Sequence, residues 1–196
     1  FVSVDGAGLG ITHISVGSMR YRVTFSGPGG HSYGAFGTAN PIHAIGRTIA
    51  ALADLRPPSD PKTTFNVGRV GGGTSVNAIA SEAWMEVDIR SADQKALGAL
   101  DAQFHRAVEE ALAAENARWE QKGQLVVSTM LVGDRPAGAI PVTAPIVQAA
   151  LSVTRALGAT ADLAEGSTDA NIPMNLTIPA ITIDAGGNGT GSHTLD

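Results

Sequence analysis

The sequence predicts an α/β fold of the α+β kind, in which a ferredoxin-like β-α-β-β-α-β domain is followed by an incomplete α/β segment. Two observations favour this fold. Stretches of alternating apolar and polar residues, which indicate half-buried strands, are interrupted twice by apolar residues at helical spacing, in the order of the split βαβ motif. After a stretch rich in glycine and proline, the pattern resumes with one helix and two short strands, too few for an independent core.

The first half of the ferredoxin-like unit contains a strand, a loop and a helix. Residues 19–25 alternate between apolar and polar side chains, which is the period of a strand. A glycine-rich loop over 27–37 follows and contains His31. Asn40 then caps a helix with Pro41 at its first position, and the apolar residues beyond it at three- and four-residue spacing give this helix one buried face.

The second half adds two strands, a helix and a last strand. Strands are predicted over 64–70 and 76–90, since both are rich in β-branched and alternating apolar residues. Ser91 and Gln94 form a capping box that opens the second helix. A strand over about 125–132 completes the order β-α-β-β-α-β.

The remainder of the chain indicates a second segment. Residues 134–141 are rich in glycine and proline and are predicted to be a linker. Thr143 is predicted to cap a helix that stops at Gly158. Short stretches over 162–166 and 180–184 follow, and we expect them to join a sheet whose other strands are not in the sequence.

Composition excludes several classes of protein. Hydrophobic residues make up 43% and charged residues 16% of the chain, which is typical of a globular protein. The net charge of −5 argues against a nucleic-acid partner, and the absence of cysteine rules out disulfides and thiolate metal ligands. No apolar run approaches the roughly 20 residues that span a bilayer. The first five residues resemble a strand rather than a signal peptide, and we expect a cytoplasmic protein without a membrane partner.

The last dozen residues carry one histidine in a glycine-rich loop. His193 follows a short β-branched run, so it lies after a predicted strand end, where scaffolds present ligands and catalytic groups. A neutral imidazole is a good zinc ligand, but a zinc site needs three or four ligands. We therefore expect the chain to be a fragment of a larger protein.

Five short motifs in register carry a resemblance to a known family. The chain resembles the zinc-dependent peptidases and amidohydrolases that include carboxypeptidase G, aminoacylase-1 and succinyl-diaminopimelate desuccinylase. The motifs are Gly29-Gly-His31-Ser32, Asn66-Val-Gly68 with Gly72-Gly-Thr-Ser-Val-Asn77, Val87-Asp-Ile-Arg90, Gly166-Ser-Thr-Asp169 and His193-Thr-Leu-Asp196.

The resemblance implies an architecture. Family members have a catalytic domain with two zinc ions, interrupted by a ferredoxin-like lid that also forms a homodimer. By this resemblance residues 1–17 end the first catalytic segment, 18–136 are the lid and dimerisation domain, and 137–196 are a truncated second catalytic segment. The zinc site is then expected to be incomplete in this chain.

The resemblance also implies roles for five residues. His31 would reach the partner subunit's active site and stabilise the oxyanion, and His193 would bind zinc. Asn77 and Ser167 would contact the substrate, and the planar fork of Arg90 would hold a substrate carboxylate.

Each role has a simpler structural alternative. His31 and His193 would then be ordinary loop histidines, and Asn77 would shape a turn. Arg90 would pair with a neighbouring acidic residue, and Ser167 would cap a short helix.

The sequence departs from the family in one respect. The family's His-x-Asp pair, metal-bridging Asp and catalytic Glu-Glu motif are absent: His13 is followed by Ile14-Ser15, and Glu109-Glu110 lies in a predicted lid helix. We expect the intact enzyme to hydrolyse an amide, in a small peptide or an N-acyl amino acid, by a metal-activated water, and this part alone to be inactive. The alternative is a stand-alone, non-catalytic dimerisation or small-molecule-binding module.

Overall fold

The computed structural model describes residues 1–118 and 123–189. Its strands are β1 (Val2–Val4), β2 (Ile11–Ser15), β3 (Gly17–Ser26), β4 (Gly30–His31), β5 (Thr63–Gly72), β6 (Ala78–Ile79), β7 (Glu82–Ser91), β8 (Val126–Arg135), β9 (Gly138–Ala139), β10 (Leu163–Gly166) and β11 (Ile181–Ile183). Its helices are α1 (Pro41–Ala53), α2 (Gln94–Ala117), α3 (Pro145–Ala156) and α4 (Asn171–Asn175). None of these helices combines the length and the hydropathy that a membrane crossing requires.

The chain divides into two compact units. The central unit consists of Met19–Arg90 and Gly98–Asp134. The terminal unit consists of Phe1–Ser18, Ser91–Leu97 and the described residues from Arg135 onward. The two units are described separately below.

A four-stranded sheet with strand order β5-β7-β3-β8 forms the frame of the central unit. The first and third strands of the β-α-β-β-α-β order therefore lie in the middle of the sheet, and the second and fourth lie at its edges. This arrangement is the ferredoxin-like fold. The predicted fold class is confirmed.

The period-two pattern of the central strands decides which face of this sheet is buried. Val23 and Phe25 of β3 have no exposed surface, and neither has Met85 of β7. Tyr21 stacks on Phe104 of α2 with ring centroids 4.8 Å apart. The apolar set of each strand thus lies under the helices, as the alternation predicts.

A buried carboxylate joins the two helices of the central unit. Glu115 of α2 has no exposed surface. Its oxygens accept hydrogen bonds from Arg47 Nε of α1 at 3.1 Å and from the backbone N–H of Asn40 at 3.2 Å, and His43 Nδ1 lies 3.5 Å away. Because Asn40 is also the N-cap of α1, whose side chain accepts from Ile42 N, the start of this helix is fixed from two sides.

The opposite face of the sheet carries a ladder of ion pairs. Asp88 of β7 accepts from Nε of Arg20 at 2.8 Å and from Nε of Arg90 at 2.6 Å. Partial burial acts to raise the pKa of Asp88, but the hydrogen bonds and charges of the two arginines outweigh it and hold the pKa below its usual range.

One step along β7, Glu86 repeats this arrangement. It accepts from Arg22 at 2.8 Å and from Arg69 at 3.0 Å. The Arg22 guanidinium also lies 4.0 Å from the ring centroid of Trp84, within cation–π range.

The terminal unit is built on a second sheet with strand order β1-β11-β2-β10, to which β9 adds beside β2. β11 runs parallel to β1, and β10 runs parallel to β2. Its core includes Ile11, Val147, Leu151, Met174 and Ile181. β11 and β10 pair with β1 and β2 of the same chain. The expectation that they join a sheet whose other strands are not in the sequence is therefore wrong for these pairings.

The structure corrects two strand predictions. The predicted strand 76–90 is two strands, because β6 pairs with β4 in a separate two-stranded ribbon while β7 stays in the main sheet. The predicted linker 134–141 contains the end of β8 and all of β9. β2, which was not predicted, is the strand beside which β9 lies.

The predicted helix caps are also corrected. Before α2 the side chain of Asp93 accepts from Ala96 N at 2.7 Å, so Asp93 rather than Ser91 caps this helix, and the side chain of Gln94, its first residue, accepts from Ala137 N at 2.8 Å. The N-cap of α3 is Ala144 rather than Thr143, and its side chain makes no capping hydrogen bond.

The buried carboxylate generates the first prediction. Arg47→Met removes its main cation and leaves the Glu115 charge in the interior, so we expect the free energy of unfolding to fall by about 3 kcal/mol. Arg106→Met, on an exposed position of α2, serves as the control and should change it by less than about 0.5 kcal/mol. Urea denaturation at pH 7 measures both, and equal losses would contradict the role given to the carboxylate.

The second prediction concerns pH. The pKa of Asp88 is lower in the folded protein than its ordinary value of 3.8, so its ion pairs stabilise the fold above that value and are lost as pH falls through the folded pKa. Asp88→Asn should lower stability at pH 7 by about 1 kcal/mol, and the difference from wild type should shrink below about pH 4. Denaturation curves between pH 7 and pH 3 test this, with the exposed Asp60→Asn as the control; a difference independent of pH would refute it.

Candidate functional site

Two of the candidate residues lie together on a short ribbon of the central unit. β4 pairs antiparallel with β6, which sets His31 opposite Ala78. The backbone N–H of Ser32 donates to the carbonyl of Asn77 at 2.9 Å and extends the pairing by one step. The structure therefore brings His31 and Asn77 into one small element, which the sequence separation did not reveal.

The His31 ring is oriented by the turn that follows it. Nδ1 accepts from the backbone N–H groups of Tyr33 and Gly34, both at 3.3 Å, and Ala35 N donates to the His31 carbonyl at 2.8 Å. A neutral ring that accepts at Nδ1 carries its hydrogen on Nε2. The imidazole is exposed, so the Nε2–H group is a hydrogen-bond donor directed away from its own backbone.

Asn77, on the same ribbon, offers a second donor. Its Oδ1 accepts from the hydroxyl of Ser75 at 2.6 Å. In this orientation the NH₂ group makes no hydrogen bond with the described residues and is left for another partner. The ribbon thus presents an imidazole N–H and an amide N–H, both suited to a carbonyl oxygen or an oxyanion.

Glycines before His31 allow the ribbon to form. Gly29 has φ +68° and Gly30 has φ +150°, conformations that side chains disfavour. A Cβ on Gly30 would also lie 2.8 Å from the Cβ of Ala35, within the turn that seats the imidazole. The backbone conformation and the close packing of this turn therefore favour glycine at positions 29 and 30.

Arg90 lies at the end of β7 on the charged face of the sheet. Asp88 occupies only its Nε, and its terminal nitrogens make no hydrogen bond or ion pair with the described residues. The Arg90 side chain is 39% exposed. It can therefore hold a carboxylate through the terminal nitrogens while Asp88 fixes its orientation. Within the described residues, no hydrogen bond joins it to the ribbon of His31.

Ser167 belongs to the terminal unit, in the turn between β10 and α4. It is half-buried, and the hydrogen bonds of the turn are made by its neighbours. Thr168 Oγ1 accepts from Ala170 N at 3.2 Å and contacts Thr182 Oγ1 at 2.6 Å. Thr168 rather than Ser167 therefore makes the side-chain contacts of this turn, and the N-cap of α4 is Ala170, with no side-chain capping hydrogen bond.

Asn171 holds this turn, and the sequence analysis did not single it out. It is 1% exposed. Its Oδ1 accepts from Thr168 N at 2.8 Å, and its Nδ2 donates to the carbonyls of Val16 at 2.8 Å and Pro136 at 3.0 Å. Asparagine side chains often form hydrogen bonds to the backbone of a nearby turn. The asparagine three residues after Thr168 is therefore the sequence signal that could have identified Asn171.

The start of the glycine-rich loop of His193 is anchored by an acidic residue. Asp184, directly after β11, accepts from Gly10 N at 2.7 Å. Gly8 and Gly186 exchange backbone hydrogen bonds, so the loop begins against the chain's N-terminal glycines. His193 itself lies outside the described residues.

The described residues do not fit a zinc site. Among 1–118 and 123–189, no group of three or more His, Asp or Glu side chains is placed to hold a metal ion. His13, the histidine nearest the terminal core, bonds the carbonyl of Ile140 through Nδ1 at 2.8 Å and is structural. The two zinc ions that the resemblance implies are not accounted for by these residues.

Solved structures share this fold. Aminopeptidase PepT from Bacillus cereus is 21% identical, with a TM-score of 0.76 over 98% of this chain and 50% of that chain. A tripeptidase from Staphylococcus aureus is 19% identical, with a TM-score of 0.74 over 98% of this chain and 50% of that one. An aminobenzoyl-glutamate utilization protein from Klebsiella pneumoniae is 21% identical, with a TM-score of 0.74 over 95% and 49%.

These likenesses establish the fold, and they show that the chain spans about half the length of the proteins it resembles. No curated protein sequence matches the chain. Residues 15–116, just over half of the chain, match the family model M20_dimer, described as the peptidase dimerisation domain. The resemblance drawn from the five motifs is confirmed, and the chain belongs to the M20 peptidase dimerisation domain family.

Proposed function

We propose that this chain is part of a peptidase or amidohydrolase that cleaves the amide bond of a small peptide or an N-acyl amino acid. In this proposal 18–136 is the lid and dimerisation domain, and 1–17 and 137–196 belong to the catalytic domain. Zinc dependence and His193 as a metal ligand rest on the sequence resemblance, a cytoplasmic location rests on the strand-like first residues, and all three stay predictions. The similar structures of peptidases are consistent with the class of reaction.

The observation that carries the proposal is the seating of His31. A ring held by two backbone N–H groups at Nδ1 keeps its Nε2–H in one direction without a side-chain partner. Amide hydrolysis develops negative charge on the carbonyl oxygen, and a fixed donor aimed at that charge stabilises the transition state. The Asn77 amide on the same ribbon is proposed as a second donor to the substrate.

Arg90 supplies the second part of the proposal. Small peptides and N-acyl amino acids share a carboxylate near the amide that is cleaved. A guanidinium whose Nε is held by Asp88 presents two parallel N–H groups, the geometry that a carboxylate requires. Ser167, half-buried in its turn, is proposed as a further substrate contact.

A non-catalytic dimerisation module is the competing function, because the described residues hold no metal cluster. A module that only dimerises has no use for an oriented donor pair on the ribbon. It also has no use for the turn that Asn171 fixes with three hydrogen bonds. These features favour the enzyme.

Dimerisation through the central unit is the third prediction. Its sheet ends in two edge strands, β5 and β8, and open edges are templates for pairing with a second copy. Val70 of β5 is 60% exposed and Leu131 of β8 is 48% exposed. We expect a homodimer, and expect lysine at the pairing edge, Val70→Lys or Leu131→Lys, to dissociate it while lysine at the other edge does not.

Sedimentation equilibrium at concentrations of tens of micromolar, about the usual working range, measures the outcome. A monomer in the unmodified protein would contradict dimerisation. A dimer that resists both substitutions would contradict pairing through the sheet edges.

The fourth prediction tests the proposed role of His31. In the intact enzyme, His31→Ala should lower kcat by roughly 10² to 10³ fold, because one oxyanion donor is lost. Arg90→Ala is the matched comparison and should act mainly through KM, since it holds the carboxylate equally in ground and transition states. Steady-state kinetics on a dipeptide separates the two effects.

Mixed dimers test whether His31 serves the neighbouring subunit. A His31→Ala protomer paired with a His193→Ala protomer contains one active site with an intact metal ligand and a donated His31. Activity in the mixture should rise above that of either parent, because each parent lacks one of the two groups. If mixed dimers form and activity does not return, the assignment across the dimer is wrong.

A further inference from the structure

The ribbon that carries His31 and Asn77 also carries two unusually exposed apolar side chains. Among the large apolar residues that the structure describes, Val76 is fully exposed and Tyr33 is 90% exposed, the two highest values. The chain's other tyrosine, Tyr21, is 7% exposed. Exposed apolar side chains that gather at one place mark a binding surface more often than scattered ones do.

The antiparallel pairing brings Tyr33 and Val76 to the same end of the ribbon. Ser32 N donates to the Asn77 carbonyl, and Tyr33 follows Ser32 while Val76 precedes Asn77. Moving forward along one antiparallel strand and backward along the other leads to the same end. The N–H of Tyr33 also donates to the His31 ring, so its position is fixed relative to the imidazole.

The two chain segments that form the ribbon and its turns contain no charged residue. Residues 27–40 and 71–81 include no Asp, Glu, Lys or Arg, in a chain that has 13 basic and 18 acidic residues. A charged substrate side chain at the ribbon would lose water without gaining a counter-ion from these segments. An apolar side chain would instead gain contact with the phenol ring and the valine methyl groups.

We propose that Tyr33 and Val76 form an apolar wall beside the donor pair of His31 and Asn77, and that the substrate therefore carries an apolar side chain next to the amide that is cleaved. This inference rests on the proposed function and narrows its substrate class. The arrangement is that of a typical small-molecule site, with apolar walls and a few placed polar groups.

The test compares substrates that differ only in one side chain. Two series are used with the intact enzyme, X-Gly dipeptides and N-acetyl-X, in which X is Gly, Leu, Phe or Asp. The unmodified enzyme should prefer Leu and Phe in kcat/KM. Tyr33→Ala should lower kcat/KM for Leu and Phe by about tenfold and leave Gly within about twofold, because only the apolar contact is lost.

Two variants refine the comparison. Tyr33→Phe keeps the ring and removes the hydroxyl, so it should retain the preference of the wild type. Val76→Ala should lower the Leu and Phe values in the same direction by about fivefold, since it removes less apolar surface. Sedimentation of each variant checks that the dimer is intact.

The outcomes separate this inference from the function on which it rests. If the wild type hydrolyses the glycine substrates without preferring Leu or Phe, or if Tyr33→Ala lowers all values equally, the apolar wall is wrong and the proposed function stands. If Tyr33→Ala or Val76→Ala dissociates the dimer, the ribbon end is an interface between copies, and the inference is also wrong. If no substrate is hydrolysed, the proposed function fails and this inference fails with it.

Discussion

The burial of one face of β3 and β7 under two helices is the constraint on which the central unit depends. A strand has a period of two, so once Val23 and Met85 are committed to the core, their neighbours must lie on the other face. Arginine and acidic residues occupy several of those positions and pair with one another, across strands in Arg20–Asp88 and along β7 in Arg90–Asp88. A slip of one residue would bury the charges and expose the core, so a single register is allowed.

Much of this fold follows from local pattern. The alternation of 19–25 and the Asn40-Pro41 helix start were predicted and are present, because period and capping are properties of a few adjacent residues. What the pattern could not give was the partner of each strand. β6 is apolar and is separated from β7 by only two residues in sequence, yet it pairs with β4. Contacts between segments that are distant in sequence determine this pairing.

The candidate site shows the same limit. His31, Asn77 and Arg90 were selected by motif, but their geometry depends on side-chain to backbone contacts that no motif encodes. The tautomer of His31 follows from two N–H groups of its own turn, and Asn171 was missed because its importance comes from carbonyls at positions 16 and 136. Asp93 caps α2 in place of the predicted capping box, and the side chain of Gln94 accepts a hydrogen bond from the backbone N–H of Ala137, which is distant in sequence.

The doubled pairing of Asp88 has an evolutionary consequence. Because Arg20 and Arg90 each satisfy a different oxygen of this carboxylate, the loss of either arginine leaves the other in place. Position 90 can therefore change its side chain, and with it the group that Arg90 is proposed to bind, without leaving an unpaired charge in the sheet. Redundancy of this kind uncouples recognition from folding, and it lets a scaffold acquire new substrates while the sheet that carries them stays intact.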